Sequence, residues 1–221
     1  VNAIQESTVV SFPVSIKGGE SLAERIASKW ISNDKKKLPL HFPMVHDQKT
    51  LKNAWRVAGN ELMKMVEKGE RVVFLSQGDI SLYSTGSYLS KELEKHHPEC
   101  VVKLIPGVTS FSAAAAKSQL PLAFQEEQVL VLPVPESSFK FKAILSEAAS
   151  ENRVFVLIKL GNKWSWVKPL LKELGLLENS IFAEKVGFID EKIVKASEVP
   201  SGSRPYFSLL VIRQSWPLVI P

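Results

Sequence analysis

The sequence predicts an α/β protein of two domains, the first built of parallel βα units and the second an α/β or α+β domain. Three observations predict it. Short apolar, β-branched runs alternate with amphipathic helices through the first half of the chain. Two matched strand-to-loop-to-helix junctions then follow, RVVFLSQGDISLYSTGSYL from Arg71 to Leu89 and VVKLIPGVTSFSAAAAKSQ from Val101 to Gln119. Beyond Pro121 come four further apolar strand candidates, the first three separated by helical patterns. The spacing places the domain boundary near Pro121, giving domains 1–120 and 121–221.

The elements follow in order. VNAIQES reads as the last turns of a helix feeding a strand from Thr8 to Val14, with no preceding strand in view, so a further upstream segment is expected. GESLAERIASKWI sets Leu22, Ile26, Trp30 and Ile31 on one face of a core-facing helix, with Glu20 or Ser21 near its start. LPLHFPM is extended, because each proline pushes its predecessor toward β geometry. From Thr50 as N-cap to Gly69 as C-cap, an amphipathic helix runs through Leu51, Trp55, Ala58, Leu62 and Val66. The two junctions come next, each predicting a strand, a small-residue turn and a helix. LPLAFQEEQ then breaks the pattern. VLVLPV, RVFVLIKL, SIFAEKV and YFSLLVIRQ are the later strands, with helices near Lys140 to Ala149 and Ser165 to Leu174.

Composition narrows the function classes. With 221 residues and 45% hydrophobic content, the chain can bury a real core. A net charge of +5 suits a polyanionic partner without choosing among nucleic acid, membrane surface and small molecule. The densest basic run, Lys35-Lys36-Lys37, reads as a solvated loop and has no interleaved aromatic residues, which argues against a base-stacking surface. A single cysteine, Cys100, excludes an intramolecular disulfide and a cysteine-based zinc cluster, and points to a reducing compartment. No run of about 18 apolar residues spans a membrane and no signal-peptide pattern opens the chain, so a cytoplasmic protein is expected. GxxxxGK, HExxH and a GxGxxG followed by an acidic residue are all missing, which argues against a nucleotide-binding Rossmann enzyme. No metal-ligand set is visible. His96-His97 fits a helix C-terminus, where the dipole favours a cation, better than a metal site.

The loops admit two readings. Gly78-Asp79 fits a strand-end turn in which glycine supplies positive φ and aspartate caps the next helix; Pro106-Gly107-Val108-Thr109-Ser110 fits a rigid turn with a capping hydroxyl. Alternatively, both present backbone groups to one ligand at the carboxyl ends of neighbouring strands. The small residues Ala113 to Ala116 behind the second loop let either another helix or a ligand approach closely.

QGDISLYSTGSYL resembles the GDPxxYST element of the tetrapyrrole methylase family, the S-adenosylmethionine-dependent enzymes of corrin and sirohaem synthesis, and PGVTSFSAAAA resembles that family's second cofactor element. FPMVHD at Phe42 to Asp47, AWRVA around Trp55 and PYFSLLVIR at Pro205 to Arg213 extend the likeness over nearly the whole chain. Two departures stand out: Ile80 occupies the place of the family's proline, and the family's first strand with its GPGxP loop is not found in residues 1–221.

The resemblance implies an N-terminal parallel αβ domain, a C-terminal mixed-sheet α/β domain, and a homodimer with the cofactor in the interdomain cleft. The implied reaction moves a methyl group from S-adenosylmethionine to C-20 of precorrin-2 or cobalt-factor II, releasing S-adenosylhomocysteine. A non-catalytic or differently specific tetrapyrrole-binding relative is the alternative. Carried over by position, the cofactor contacts are Gly78, Asp79, Ile80, Tyr83, Ser84, Thr85, Thr109 and Ser110, with Ile158, Lys159 and Glu184 to Val186 on the adenine side. Asp47, His46 and Tyr83 are candidates for taking the C-20 proton. Arg56 and Lys17, with Lys159, are candidates for the substrate's carboxylates.

Overall fold

A computed structural model describes residues 1–148 and 153–215. The chain divides into two compact units, Val1–Val108 and Thr109–Pro221.

The first unit is a three-stranded parallel sheet in the order β2-β1-β3, formed by β1 (Val9–Val14), β2 (Lys36–His41) and β3 (Val72–Phe74). Helices cover both faces, as parallel sheets require. Val10, Phe12 and Val14 of β1 pack with Ile4 of α1 (Asn2–Glu6) and with Ala23 and Ala27 of α2 (Leu22–Ala27). On the opposite face, Leu40, Ala58, Leu62, Met63, Leu89 and Leu93 join β2 to α3 (Gln48–Val66) and α4 (Thr85–His96). Pro13 is tolerated in the central strand because β3 pairs only as far as Ser11, so the missing N–H interrupts no ladder on that side.

The second unit has a mixed sheet in the order β4-β5-β8-β6-β7, formed by β4 (Gln128–Pro133), β5 (Arg153–Ile158), β6 (Ser180–Glu184), β7 (Lys192–Lys195) and β8 (Ser208–Arg213). Only β4 and β5 run parallel; β8 is antiparallel to both its neighbours. Side-chain alternation sorts the core into two layers. Phe155, Leu157, Phe182, Leu210 and Ile212 meet α6 (Ser138–Ala148) and α7 (Trp164–Glu173) through Phe141, Leu145, Trp164, Val167 and Leu171. Val154, Val156, Ala183, Leu209 and Val211 take Ala114 of α5 (Ser110–Lys117) on the other side. The Trp164 indole N–H, inside the core, donates to the Pro200 carbonyl at 2.9 Å.

Among the described residues, Arg213 is the one large charged side chain fully inside this unit. Its Nη1 donates to the carbonyls of Pro121 (2.9 Å) and Leu122 (3.2 Å), its Nη2 pairs with Glu127, and its guanidinium lies 5.6 Å from the Phe124 ring centroid. Glu127 in turn accepts from the Phe124 amide at 2.8 Å. The irregular LPLAFQEEQ segment is thereby fastened to the end of β8.

Several expectations need correction. The expected strand Val101 to Ile105 does not form: the segment carries no regular structure and has no sheet partner among the described residues, and Val101 is 96% exposed. α5 belongs to the second unit, so the division falls at Val108 rather than near Pro121, because Ala114 is buried against the second sheet. The small residues of α5 therefore admit a sheet face. On α2, alanines fill the core positions and Ile26 is 50% exposed. Lys36 and Lys37 lie on β2, not in a loop, and pair with Glu70 and Glu24. Asp47, not Thr50, caps α3. β7 was unforeseen, and Ala149, the expected end of α6, lies outside the described residues.

Truncating one partner of a buried ion pair strands the other charge. Glu127→Ala is expected to destabilise the protein by about 3–5 kcal/mol, read from the urea unfolding midpoint. A change below about 1 kcal/mol would contradict the role given to Arg213.

Candidate active site

In the first unit the site is built at the exit of β3. Leu75 is buried and donates to the Ser11 carbonyl at 2.8 Å, after which the chain turns away through Gly78, at φ +65°. The Asp79 Oδ1 accepts from the Ser81 amide at 2.8 Å and from the Ser81 hydroxyl. Its Oδ2 accepts from the Gly107 amide at 2.8 Å, joining the two loops. The Ser81 hydroxyl, then the Gly107 and Ser81 amides, hold the Asp79 carboxyl below its ordinary 3.8. Gly107 must be glycine: a Cβ there would stand 2.1 Å from the Gly78 carbonyl oxygen.

Ile80 is half-buried, its carbonyl accepts from the Ser87 hydroxyl, and its side chain lies over Gly86 of α4. A Cβ at position 86 would meet Ser76 Oγ at 2.8 Å and Ile80 Cγ1 and Cδ1 at 2.9 Å. Tyr83 is half exposed at φ +50°, a conformation non-glycine residues adopt at a cost and that concentrates at functional sites. Ser84 caps α4 by accepting from the Gly86 amide and is 3.2 Å from the Ser76 hydroxyl; Thr85 is the first residue of that helix.

The remaining first-unit candidates are dispersed. Asp47 accepts from the Thr50 amide at 2.7 Å, and the hydrogen bonds to Thr50 hold its carboxyl below the usual value, which weakens it as a base. His46 is exposed in the segment before α3. Arg56 lies on the α3 surface with Nη2 3.3 Å from His96 Nε2 and Nε 3.8 Å from Glu92, so it is already engaged with α4. Lys17 is exposed in the turn after β1.

In the second unit, sheet topology gathers the predicted positions. β5 and β6 both run antiparallel to the β8 between them, so their carboxyl ends flank its start, with Ile158 opposite Leu209 and Glu184 opposite Ser208. Each then turns through a left-handed residue, Lys159 at φ +59° and Lys185 at φ +52°. The Lys185 amide donates to the Phe207 carbonyl at 2.8 Å. Val186 packs against the α5-side core, and Glu184 Oε2 is buried without a hydrogen-bond partner among the described residues. Thr109 caps α5 through the Ser112 amide, and Ser110 opens that helix, exposed.

Sequence reasoning missed three parts of this arrangement. One is Glu191, which pairs with Lys117 at 2.6 Å and accepts from the Gly187 amide at 2.7 Å, tying α5 to the β6–β7 turn. Another is the aromatic group at the start of β8, where Phe207 stands 5.4 Å from Tyr206 and 6.5 Å from Phe188. The third is the Ile80–Gly86 contact. The Lys117–Glu191, Phe188–Phe207 and Ile80–Gly86 contacts follow from the folded topology and from no local spacing rule.

In this α/β chain the GD turn at the exit of β3 is set against a PG turn. The sequence pattern of the Tetrapyrrole (Corrin/Porphyrin) Methylases matches residues 1–199, and the chain belongs to that family of S-adenosylmethionine-dependent methyltransferases. It is 30% identical over 206 residues to a cobalt-precorrin-2 C(20)-methyltransferase of Salmonella typhimurium, covering 92% of this chain and 84% of that one. To a probable cobalt-precorrin-2 C(20)-methyltransferase of Methanocaldococcus jannaschii it is 30% identical over 210 residues, 91% and 83% of the two chains. The fold matches that of uroporphyrin-III C-methyl transferase from Thermus thermophilus complexed with S-adenosylhomocysteine, with a TM-score of 0.60 at 19% identity over 96% of this chain and 88% of that one.

Two outcomes test the geometry. Gly86→Ala must displace Ile80 and Ser76, and is expected to destabilise by about 1–3 kcal/mol in urea unfolding. Because the folded-state pKa of Asp79 lies below its unfolded value, the stability it contributes is present above about pH 3.8 and is lost only as pH falls through the depressed value. The backbone amide spectrum of residues 78–81 and 107 should therefore stay unchanged from about pH 7 to pH 5.

Proposed function

We propose that this protein transfers a methyl group from S-adenosylmethionine to C-20 of precorrin-2 or of its cobalt-bearing relative, cobalt-factor II, in cobalamin biosynthesis. The observation that carries the reading is the 30% identity to the Salmonella enzyme over 92% of the chain. The proposal extends to a homodimer in the cytoplasm, on the family resemblance; no described helix is long and apolar enough to cross a membrane.

The residues present suit the cofactor. Gly78 is exposed at the mouth of β3 and offers backbone groups, while the buried Glu184 Oε2 has acceptor capacity for a ligand hydroxyl or amine. Gly78, Asp79, Ile80, Tyr83, Ser84 and Thr85 would hold it in the first unit, and Thr109, Ser110, Ile158, Lys159 and Val186 in the second. When bound, S-adenosylmethionine supplies a methyl group on a sulfonium, ready for in-line displacement. The protein's part is to hold that carbon and the tetrapyrrole C-20 at near-attack distance and to keep water away. No nucleophilic side chain is required, because the conjugated macrocycle is itself electron-rich.

The C-20 proton must then leave. Asp47 is committed to capping α3, which leaves Tyr83 and His46 as the acceptors. Lys17 and Arg56, with Lys159, would meet carboxylates of the substrate. In the basic run, Lys35 Nζ donates to the Gln5 and Ser7 carbonyls, and Lys36 and Lys37 are paired with acids.

Calorimetric titration with S-adenosylhomocysteine should give micromolar binding at one site per chain, and incubation with S-adenosylmethionine and either tetrapyrrole should add one methyl group at C-20. No binding would reject the reading. Among His46→Ala and Tyr83→Phe, the variant that removes the proton acceptor should lower kcat by about 10²–10⁴-fold without weakening S-adenosylhomocysteine. Unchanged turnover in both would assign the proton to solvent.

A further inference from the structure

The Asp79 carboxylate divides its work between two places. One oxygen closes the local turn onto Ser81, a common aspartate role that needs no partner elsewhere. The other reaches Gly107, 28 residues away in the chain, at 2.8 Å. That bond is made where the two backbones are already in contact, since only an absent Cβ at 107 leaves room for the Gly78 carbonyl. A steric device and a polar device thus act on the same pair of residues.

We propose that Asp79 is a positioning residue whose side chain locks the 78–80 segment to the Pro106–Gly107 turn, presetting both for the methyl donor; this rests on the cofactor reading above. The side chain itself faces Ser81 and Gly107, so its effect on the ligand passes through the backbone of its own loop. The demand is for an acceptor with two oxygens. Asparagine offers one oxygen and an NH₂; its oxygen stays in the local Ser81 turn, which asparagine forms as aspartate does, and the NH₂ is turned toward the Gly107 amide, which loses its acceptor. An unlocked pair of loops has to be ordered at the moment of binding, which weakens affinity without touching a contact.

The test compares the full chain with Asp79→Asn and Ser81→Ala in three measurements: exchange protection of the Gly107 amide without ligand, S-adenosylhomocysteine affinity, and the KM and kcat for the methyl donor. Asp79→Asn should lose Gly107 protection, weaken S-adenosylhomocysteine by about tenfold and raise the donor KM by a similar factor, with a smaller change in kcat. Ser81→Ala removes the local hydroxyl and leaves the bridge, so it should retain Gly107 protection and weaken binding less. Intact protection in Asp79→Asn overturns the proposal, as does lost protection with unchanged affinity or an equal effect from both variants. A wild-type chain that binds no S-adenosylhomocysteine would instead reject the cofactor reading, and the positioning role with it, while the amide measurement still decides whether the lock exists.

Discussion

The first unit's site depends on one close approach, the contact of the Gly78 carbonyl with Gly107. Two chain segments separated by the whole of α4 come together there without a side chain between them. Once that contact is set, the exit of β3 is fixed and the Asp79 carboxylate is within reach of the Gly107 amide. The turn through Ile80 to Ser84 then delivers α4 with its cap made. A bulkier residue at position 107 would have to push back the Gly78 backbone itself. Strand-end loops that bind ligands through main-chain groups need this kind of constraint, because nothing else in an irregular segment holds a carbonyl or amide in place.

The second unit solves a related problem with charge. Its central strand β8 is buried along its whole length and ends in Arg213, whose guanidinium would be costly in that environment if it met only apolar atoms. Two carbonyls, a carboxylate and an aromatic face surround it instead. The segment that supplies them, Pro121 to Glu127, connects α5 to β4 and carries no regular structure of its own. Arginine suits the task because its planar fork can serve several acceptors at once. At the opposite end of β8, the exits of β5 and β6 lie on either side of its start, and both pass through left-handed lysines.

What could be read in the sequence follows from how far each signal reaches. Periodicity and the effect of prolines located seven of the eight described strands and the helices of both units, because these signals are local. β7 escaped because KIVK is short and bounded by lysines, a pattern indistinguishable from a loop. Val101 to Ile105 failed in the opposite sense: a strand composition records propensity, and a strand also needs a neighbour to complete its ladder. The capping hydroxyl before α5 was readable from the local pattern and is Thr109, whereas the cap of α4, expected at Asp79, is made by Ser84 because Asp79 turns to Ser81 and Gly107 instead. The contacts Asp79–Gly107, Ile80–Gly86 and Lys117–Glu191 were not readable, since each joins residues whose proximity follows from the folded topology.

Ile80 shows how such a long-range contact changes the meaning of a local departure. In the family element a proline at this place would fix φ by its ring and stiffen the turn covalently. Isoleucine leaves the backbone freer, yet its side chain lies on Gly86, where no Cβ competes for the space, and its carbonyl is held by the Ser87 hydroxyl. Rigidity that proline would supply through its own covalent geometry is obtained from packing against the first turn of α4. That arrangement ties the loop to the helix, and the absence of a Cβ at 86 leaves room for both the Ile80 side chain and the Ser76 hydroxyl. The turn's shape is therefore shared between that packing and the hydrogen bonds of Asp79 and Ser87, whereas a proline would keep its φ whatever stood at position 86.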